Sequence, residues 1–117
     1  MTKEPVVLAR EDWAREADQW VGRATGAMLD AEVTVLFFSS DVIGDGPPLH
    51  THPYDEVFII RQGRGRFTIG DTVVEASAGQ ILTAPAEIPH KFENLGPGRL
   101  ETTDIHLSRE FIQVELE

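Results

Sequence analysis

Three histidines and one glutamate are spaced so that a single divalent metal could draw ligands from all four. His50 and His52 stand two residues apart, Glu56 follows four later, and His90 lies far downstream. On an extended chain, residues i and i+2 face the same side about 6.6 to 6.8 Å apart, so both imidazoles of His50-Thr51-His52 can converge on one ion. Pro53 favours that conformation, because its ring disfavours the α region at His52. Three neutral imidazoles and a carboxylate suit iron, manganese, nickel, copper or zinc, and leave one or two positions open on a five- or six-coordinate ion. Magnesium and calcium prefer all-oxygen ligands and fit poorly. Glu56 carries two readings, as fourth ligand or as a base beside the metal, which makes it the candidate catalytic residue.

A histidine taken singly is more often a surface or core residue than a ligand. Here three of the chain's four histidines fall on one constellation, and coincidence explains that badly. The fourth, His106, shares one face of a late strand with Thr102 and Asp104. It is expected to be hydrogen-bonded or exposed, outside the metal site.

The elements that must position these groups are short. Turn residues recur at Gly44-Asp45-Gly46-Pro47-Pro48, Gly63-Arg64-Gly65, Gly70-Asp71, Ser77-Ala78-Gly79, Pro85 to Pro89 and Asn94-Leu95-Gly96-Pro97-Gly98. Between them lie runs rich in β-branched or aromatic residues, at 33–38, 57–61, 66–69, 72–75, 80–83, 100–107 and 111–116. That pattern predicts an all-β sandwich or barrel. The exception is Arg10 to Trp20, where Trp13, Ala17 and Trp20 recur at helical spacing and predict either one short amphipathic helix or an irregular arm; residues 1–32 are read as that arm with the first strand, and 33–117 as the barrel. The two tryptophans are read as covering a barrel end or a dimer contact rather than stacking on a ligand. Phe58 and Ile60 share the parity of Glu56, and Phe92 that of His90, which makes them the expected walls of a substrate pocket. Arg66 is weighed as a partner for a substrate carboxylate at the barrel mouth, against the plainer reading of an exposed side chain.

Composition removes several classes of function. The chain has 117 residues and no cysteine, which excludes disulfides, thiolate metal sites and cysteine nucleophiles. Its net charge of −10 repels phosphate backbones and anionic lipid, so neither nucleic acid nor membrane is an expected partner. No apolar stretch approaches the roughly 20 residues that span a bilayer. Charged residues interrupt positions 1–20, so no secretory signal is expected and a cytoplasmic location is the default.

With its flanks, the first constellation runs Gly44, five residues, His50-Thr51-His52, three residues, Glu56, six residues, Gly63; the second runs Gly79, five residues, Pro85, then Ile88-Pro89-His90, three residues, Asn94. In this order they resemble the two signatures of the cupin superfamily, with one departure. Glu87 stands where the family pattern has glycine, so that turn either changes shape or holds a non-glycine residue at a cost of about 1 to 2 kcal/mol. The resemblance implies a double-stranded β-helix, or jelly-roll, barrel with His50, His52, Glu56 and His90 pointing inward onto one metal. It also implies a homodimer through exchanged or packed edge strands.

Cupins include dioxygenases, isomerases, epimerases, lyases, sugar-binding proteins and storage proteins, so the pocket must decide the chemistry. The leading expectation is a metal-dependent enzyme of oxygenase type, acting on a small organic molecule that chelates the metal. The alternatives are a metal-dependent isomerase or lyase on a sugar or sugar acid, and a non-catalytic small-ligand-binding cupin. The isomerase or lyase needs an inward acid or base beyond the ligands, for which Tyr54, Arg66, Lys91 and His106 are the weak candidates.

Overall fold

Residues 56–62 show how alternation in the sequence becomes a wall of the fold. In the computed structural model, which describes residues 3–117, Glu56, Phe58 and Ile60 are buried, while Val57 and Ile59 are only partly so. Period-two alternation of this kind directs one face of a strand to the interior. The same rule operates at His90, Phe92 and Asn94, and at Thr102, Asp104 and His106.

The elements in chain order are α1 (Arg10–Trp13), β1 (Gly22–Ala24), α2 (Gly26–Leu29), β2 (Thr34–Ser40), β3 (His50–Thr51), β4 (Glu56–Gln62), β5 (Arg64–Ile69), β6 (Thr72–Ser77), β7 (Ile81–Ala84), β8 (His90–Asn94), β9 (Leu100–His106) and β10 (Val114–Glu115). They form two antiparallel five-stranded sheets, ordered β1-β2-β9-β4-β7 and β10-β3-β8-β5-β6. The all-β jelly-roll architecture read from the sequence is the one observed. No helix among the described residues is long and apolar enough to cross a membrane.

Between the sheets Phe58, Ile60, Phe67, Ala76, Ala84, Phe92 and Leu100 form one buried cluster, with Phe38, Ile69 and Leu82 against it. The aromatic rings meet at offset or edge-on geometries, Phe67 on Phe92 at 5.0 Å and Phe38 on Phe92 at 5.0 Å between centroids, which adds to the burial term. Gly63 turns the corner from β4 in one sheet to β5 in the other. Its φ is +83° and a Cβ there would sit 2.1 Å from the Arg99 carbonyl oxygen, so only glycine fits.

Two local expectations are revised. Of the short helix or irregular arm anticipated over Arg10 to Trp20, a single helical turn is formed, and the chain is extended by Ala14, which bridges Gly22. A helix that short is marginal in isolation, and both tryptophans instead dock on Phe37. Trp13 stacks on it at 3.7 Å, Trp20 meets it edge-on at 5.0 Å and donates from Nε1 to Thr103 Oγ1 at 3.2 Å. The other revision is at residues 111–116, where only Val114–Glu115 forms a strand, pairing with His50–Thr51.

At the departure from the family pattern, the turn keeps its shape and Glu87 takes the strain. Its φ is +72°, in the left-handed region, and its N–H donates to the His52 carbonyl at 2.9 Å, while Ala86 N–H donates to Asp55 Oδ1 at 2.8 Å. The turn is thus strapped to the segment bearing the histidine pair. Because Glu87 is exposed, relief of the strain should outweigh the added freedom of the unfolded chain. Glu87→Gly is expected to stabilise the protein by about 0.5 to 1 kcal/mol, read as a raised urea midpoint at unchanged slope.

Candidate metal centre

The two sheets each bring part of the cluster. His50 on β3 lies directly across from His90 on β8 in one sheet, and Glu56 on β4 lies across from His106 on β9 in the other. His52 follows β3 and joins them. Ligand atoms of His50, His52, Glu56 and His90 all lie within 4.8 Å of one another. All four residues are buried, none exposed by more than 5%.

The orientation of each imidazole is set by the backbone. His50 Nδ1 lies 2.7 Å from the Pro48 carbonyl, His52 Nδ1 2.8 Å from the Tyr54 carbonyl, and His90 Nδ1 2.9 Å from the Ile88 carbonyl. A carbonyl oxygen only accepts, so each Nδ1 carries the proton and donates it. In a neutral ring the Nε2 atom is then a bare lone pair, and three such lone pairs face the centre. Anchoring of the far ring nitrogen is the arrangement that metal-binding histidines use.

Glu56 converts this geometry into a demand for positive charge. Its Oε1 is 2.8 Å from His52 Nε2 and 3.0 Å from His90 Nε2. A lone pair facing a carboxylate oxygen at that distance is repulsive unless a proton or a metal ion lies between. Burial would push the Glu56 carboxyl up, yet with a proton on the facing ring nitrogens the hydrogen bonds of His106, His52 and His90 more than reverse this and hold it well below the carboxylate range. His50 is pushed down, chiefly by burial, which keeps its ring neutral and its lone pair available. The donor set of three nitrogens and one oxygen therefore fits a divalent transition ion.

His106 is buried, as is Tyr54, and both belong to the site although neither offers a ligand atom to the cluster. His106 Nε2 stands 3.1 Å from Glu56 Oε2, so it holds the oxygen that the other histidines leave. Its Nδ1 is 2.7 Å from the Tyr54 hydroxyl, which accepts from Ile112 N–H at 3.1 Å and lies 2.9 Å from the Ile112 carbonyl. Burial pushes the Tyr54 hydroxyl up, so it stays protonated and able to donate. The parity shared by Thr102, Asp104 and His106 was the sequence signal for this inward row. The pairing of His106 with Glu56 was not visible, because it depends on the register of β9 against β4.

A cavity of about 340 Å³ opens beside the cluster, lined by His50, Glu56, Asp104, His106 and Gln113 and by Leu36, Pro47, Phe38, Phe58, Phe92 and Phe111 among others. Phe58 and Phe92 stand in its wall. Ile60 does not line it; one strand step beyond Phe58, it is buried in the apolar cluster instead. Arg66 is exposed and pairs with Glu93 at 3.4 Å and Glu75 at 3.9 Å, and Lys91 pairs with Glu117 at 3.4 Å; neither cation lines this cavity. Asp104 does line it, buried, with its carboxyl pushed well up by burial and by the charge of Glu56.

Strand topology, paired signatures and the buried three-histidine, one-glutamate cluster define a cupin barrel. The chain belongs to the cupin family, whose cupin-domain model matches residues 41–106. Over 55 residues it is 34% identical to an uncharacterized protein of Methanocaldococcus jannaschii, a stretch covering 46% of this chain and 44% of that protein. The chain thus spans less than half the length of the curated relative it matches. Among solved structures it is similar to a conserved protein of unknown function from Streptococcus pyogenes (TM-score 0.60, 24% identity, 68% of each chain). It is also similar to Bacillus subtilis oxalate decarboxylase, a protein with Mn(II) centres (TM-score 0.74, 20% identity, 81% of this chain and 27% of that one), and to oxalate oxidase bound to the substrate analogue glycolate (TM-score 0.73, 17% identity, 92% and 62%). At these identities the likeness is one of fold.

Two substitutions test the site. His50→Ala and His90→Ala should each lower bound metal, measured by mass spectrometry of the purified protein, by at least about tenfold, with the β-sheet circular dichroism retained because the apolar core lies elsewhere. Metal content that survives both changes would remove the site. Tyr54→Phe should cost about 1 to 3 kcal/mol, since it leaves the Ile112 N–H and His106 Nδ1 without their partner. Hydrogen exchange should then quicken at the backbone amides of 107–113.

Proposed function

We propose that this protein is a metal-dependent enzyme of oxygenase type, acting on a small organic molecule that coordinates the metal. The observation that carries the reading is the set of three backbone-anchored imidazoles whose Nε2 lone pairs meet Glu56 at one buried point beside an apolar cavity. His50, His52 and His90 would hold the ion, and Glu56 would complete its shell or, displaced by substrate, accept a proton. His106 orients Glu56 through Oε2, and Tyr54 orients His106. When bound, iron, manganese, nickel, copper or zinc would supply Lewis acidity, and a redox-active ion would supply the centre at which dioxygen reacts. The apolar walls exclude water and fix the organic part of the substrate.

A second reading, a metal-dependent isomerase or lyase on a sugar or sugar acid, is favoured by one observation: Asp104 places a carboxyl in the cavity beyond the four cluster residues. Such chemistry needs an acid or base of that kind. Oxygen uptake by iron-loaded protein with diketone, catechol-like and flavonol-like compounds separates the two. Turnover of at least one compound with iron and none with zinc is the expected result. Absence of uptake across the panel counts against the oxygenase, and activity retained with zinc supports the isomerase or lyase.

A further inference from the structure

The cavity is unusual in the balance of its charges. Glu56 and Asp104 both line it, and no lysine or arginine among the described residues does. Arg23 lies behind its wall, with its guanidinium 3.9 Å from the Phe111 ring centroid. With no lysine or arginine in the lining, a negative charge on a ligand would be met chiefly by the cluster's ion. A second carboxylate would face the acidic wall without a partner, and an unpaired charge in a largely apolar enclosure is costly.

Asp104 adds a positive requirement. It is 6% exposed and lines the cavity, and its buried Oδ1 makes no well-formed hydrogen bond among the described residues, with only the Thr102 hydroxyl, equally unpaired, on the same face of the strand. Buried polar groups in folded proteins are nearly always paired, so an under-satisfied carboxyl in a cavity wall is where a group from outside can add a partner. The carboxyl is flanked by apolar surface: in the sheet register it stands between Leu36 on β2 and Phe58 on β4. A group that satisfies it must arrive on a molecule whose remaining surface suits hydrocarbon. A hydroxyl both donates and accepts, and so pairs with a carboxyl in either protonation state, whereas a carboxylate only accepts.

We infer that the cavity selects an uncharged molecule with an apolar or aromatic body, which presents a hydroxyl to Asp104, and that it rejects small dicarboxylates. The inference rests on the reading of this cavity as the substrate site. Asp104 is then a specificity residue, and the fold's likeness to the oxalate enzymes does not extend to their substrate.

The test is calorimetric titration of the full chain loaded with zinc, which binds without redox turnover. Catechol and phthalate form a matched pair: one ring, two adjacent oxygen-bearing groups, and two additional negative charges on phthalate at neutral pH. Catechol is expected to bind at least about tenfold more tightly than phthalate or oxalate, since a second carboxylate would be buried against the walls with no cation to pair it. Asp104→Leu, which removes the hydroxyl's partner, should weaken catechol binding at least about tenfold at unchanged zinc content. Phthalate or oxalate matching catechol on the native protein, no measurable binding of catechol, or unchanged catechol binding in an Asp104→Leu protein that retains its zinc would each overturn the inference. The native ratio decides the matter alone if that variant does not fold. Selective catechol binding without oxygen uptake by the iron-loaded protein would remove the oxygenase reading and leave this inference standing; uptake with indiscriminate binding would do the reverse.

Discussion

A single buried negative charge, the carboxylate of Glu56, sets the terms for the interior of this barrel. Removing a carboxylate from water costs several kcal/mol even after relaxation, and only neutral or weakly basic groups surround it at first sight. His106 satisfies one oxygen. The other faces two imidazoles whose protons are committed to backbone carbonyls on their far sides. The arrangement is electrostatically complete only with a cation at its centre, supplied either by protonation of the rings or by a metal ion. A polar network half satisfied in this way would be worse than an apolar core, so its presence at the heart of a well-packed sandwich points to the ion.

The fold is arranged around that requirement. One sheet contributes His50 and His90 as a cross-strand pair, the other Glu56 and His106, and the segment 52–55 between β3 and β4 is tied to the 85–89 turn by the Glu87 and Ala86 amides. The interior consequently divides along the strands. At one end Phe67, Ile60, Leu100 and their neighbours bury hydrocarbon; at the other, ligand-type groups face one another across the same gap. β4 crosses the boundary without breaking its alternation, from Ile60 and Phe58 to Glu56, and β8 does so from Phe92 to His90. Ion binding and packing therefore stabilise the same sheet-to-sheet contact, and a bound ion would add its affinity to the stability of the folded chain.

How much of this was legible beforehand depends on the range of the interaction. The inward direction of His50 and His52 follows from a two-residue period and a following proline, and that of Phe58 and Phe92 from strand parity; these are local. Parity gives direction but not depth, which is why Ile60 faces inward as expected and yet sits in the core, one step past the cavity. The role of His106 depends on β9 lying beside β4 in one register, some fifty positions apart, and a single-residue slip would have turned it outward. Asp104 was placed on the right face and its importance missed, because an unpaired oxygen is a property of the assembled wall. The expected helix shortened for a related reason: Trp13 and Trp20 found Phe37, a partner that helical periodicity does not reveal.

The same separation of local from assembled features explains why family and reaction are not equally readable. Anchored imidazoles and a glutamate in two ordered signatures are what makes the chain a cupin, and those positions come from short motifs. Cavity walls come from elsewhere: Leu36 and Phe38 from β2, Asp104 from β9, Phe111 and Gln113 from the segment after β9. That last segment hangs on Tyr54, whose hydroxyl touches both Ile112 and His106, so the cover of the cavity and the orientation of Glu56 share one side chain. Phe111 itself stacks on His106 at 5.4 Å between ring centroids, so the cover rests on the side chain that holds Glu56 Oε2. The metal-facing residues come from the motifs and the substrate-facing residues from the walls, so the shared fold does not by itself set the reaction.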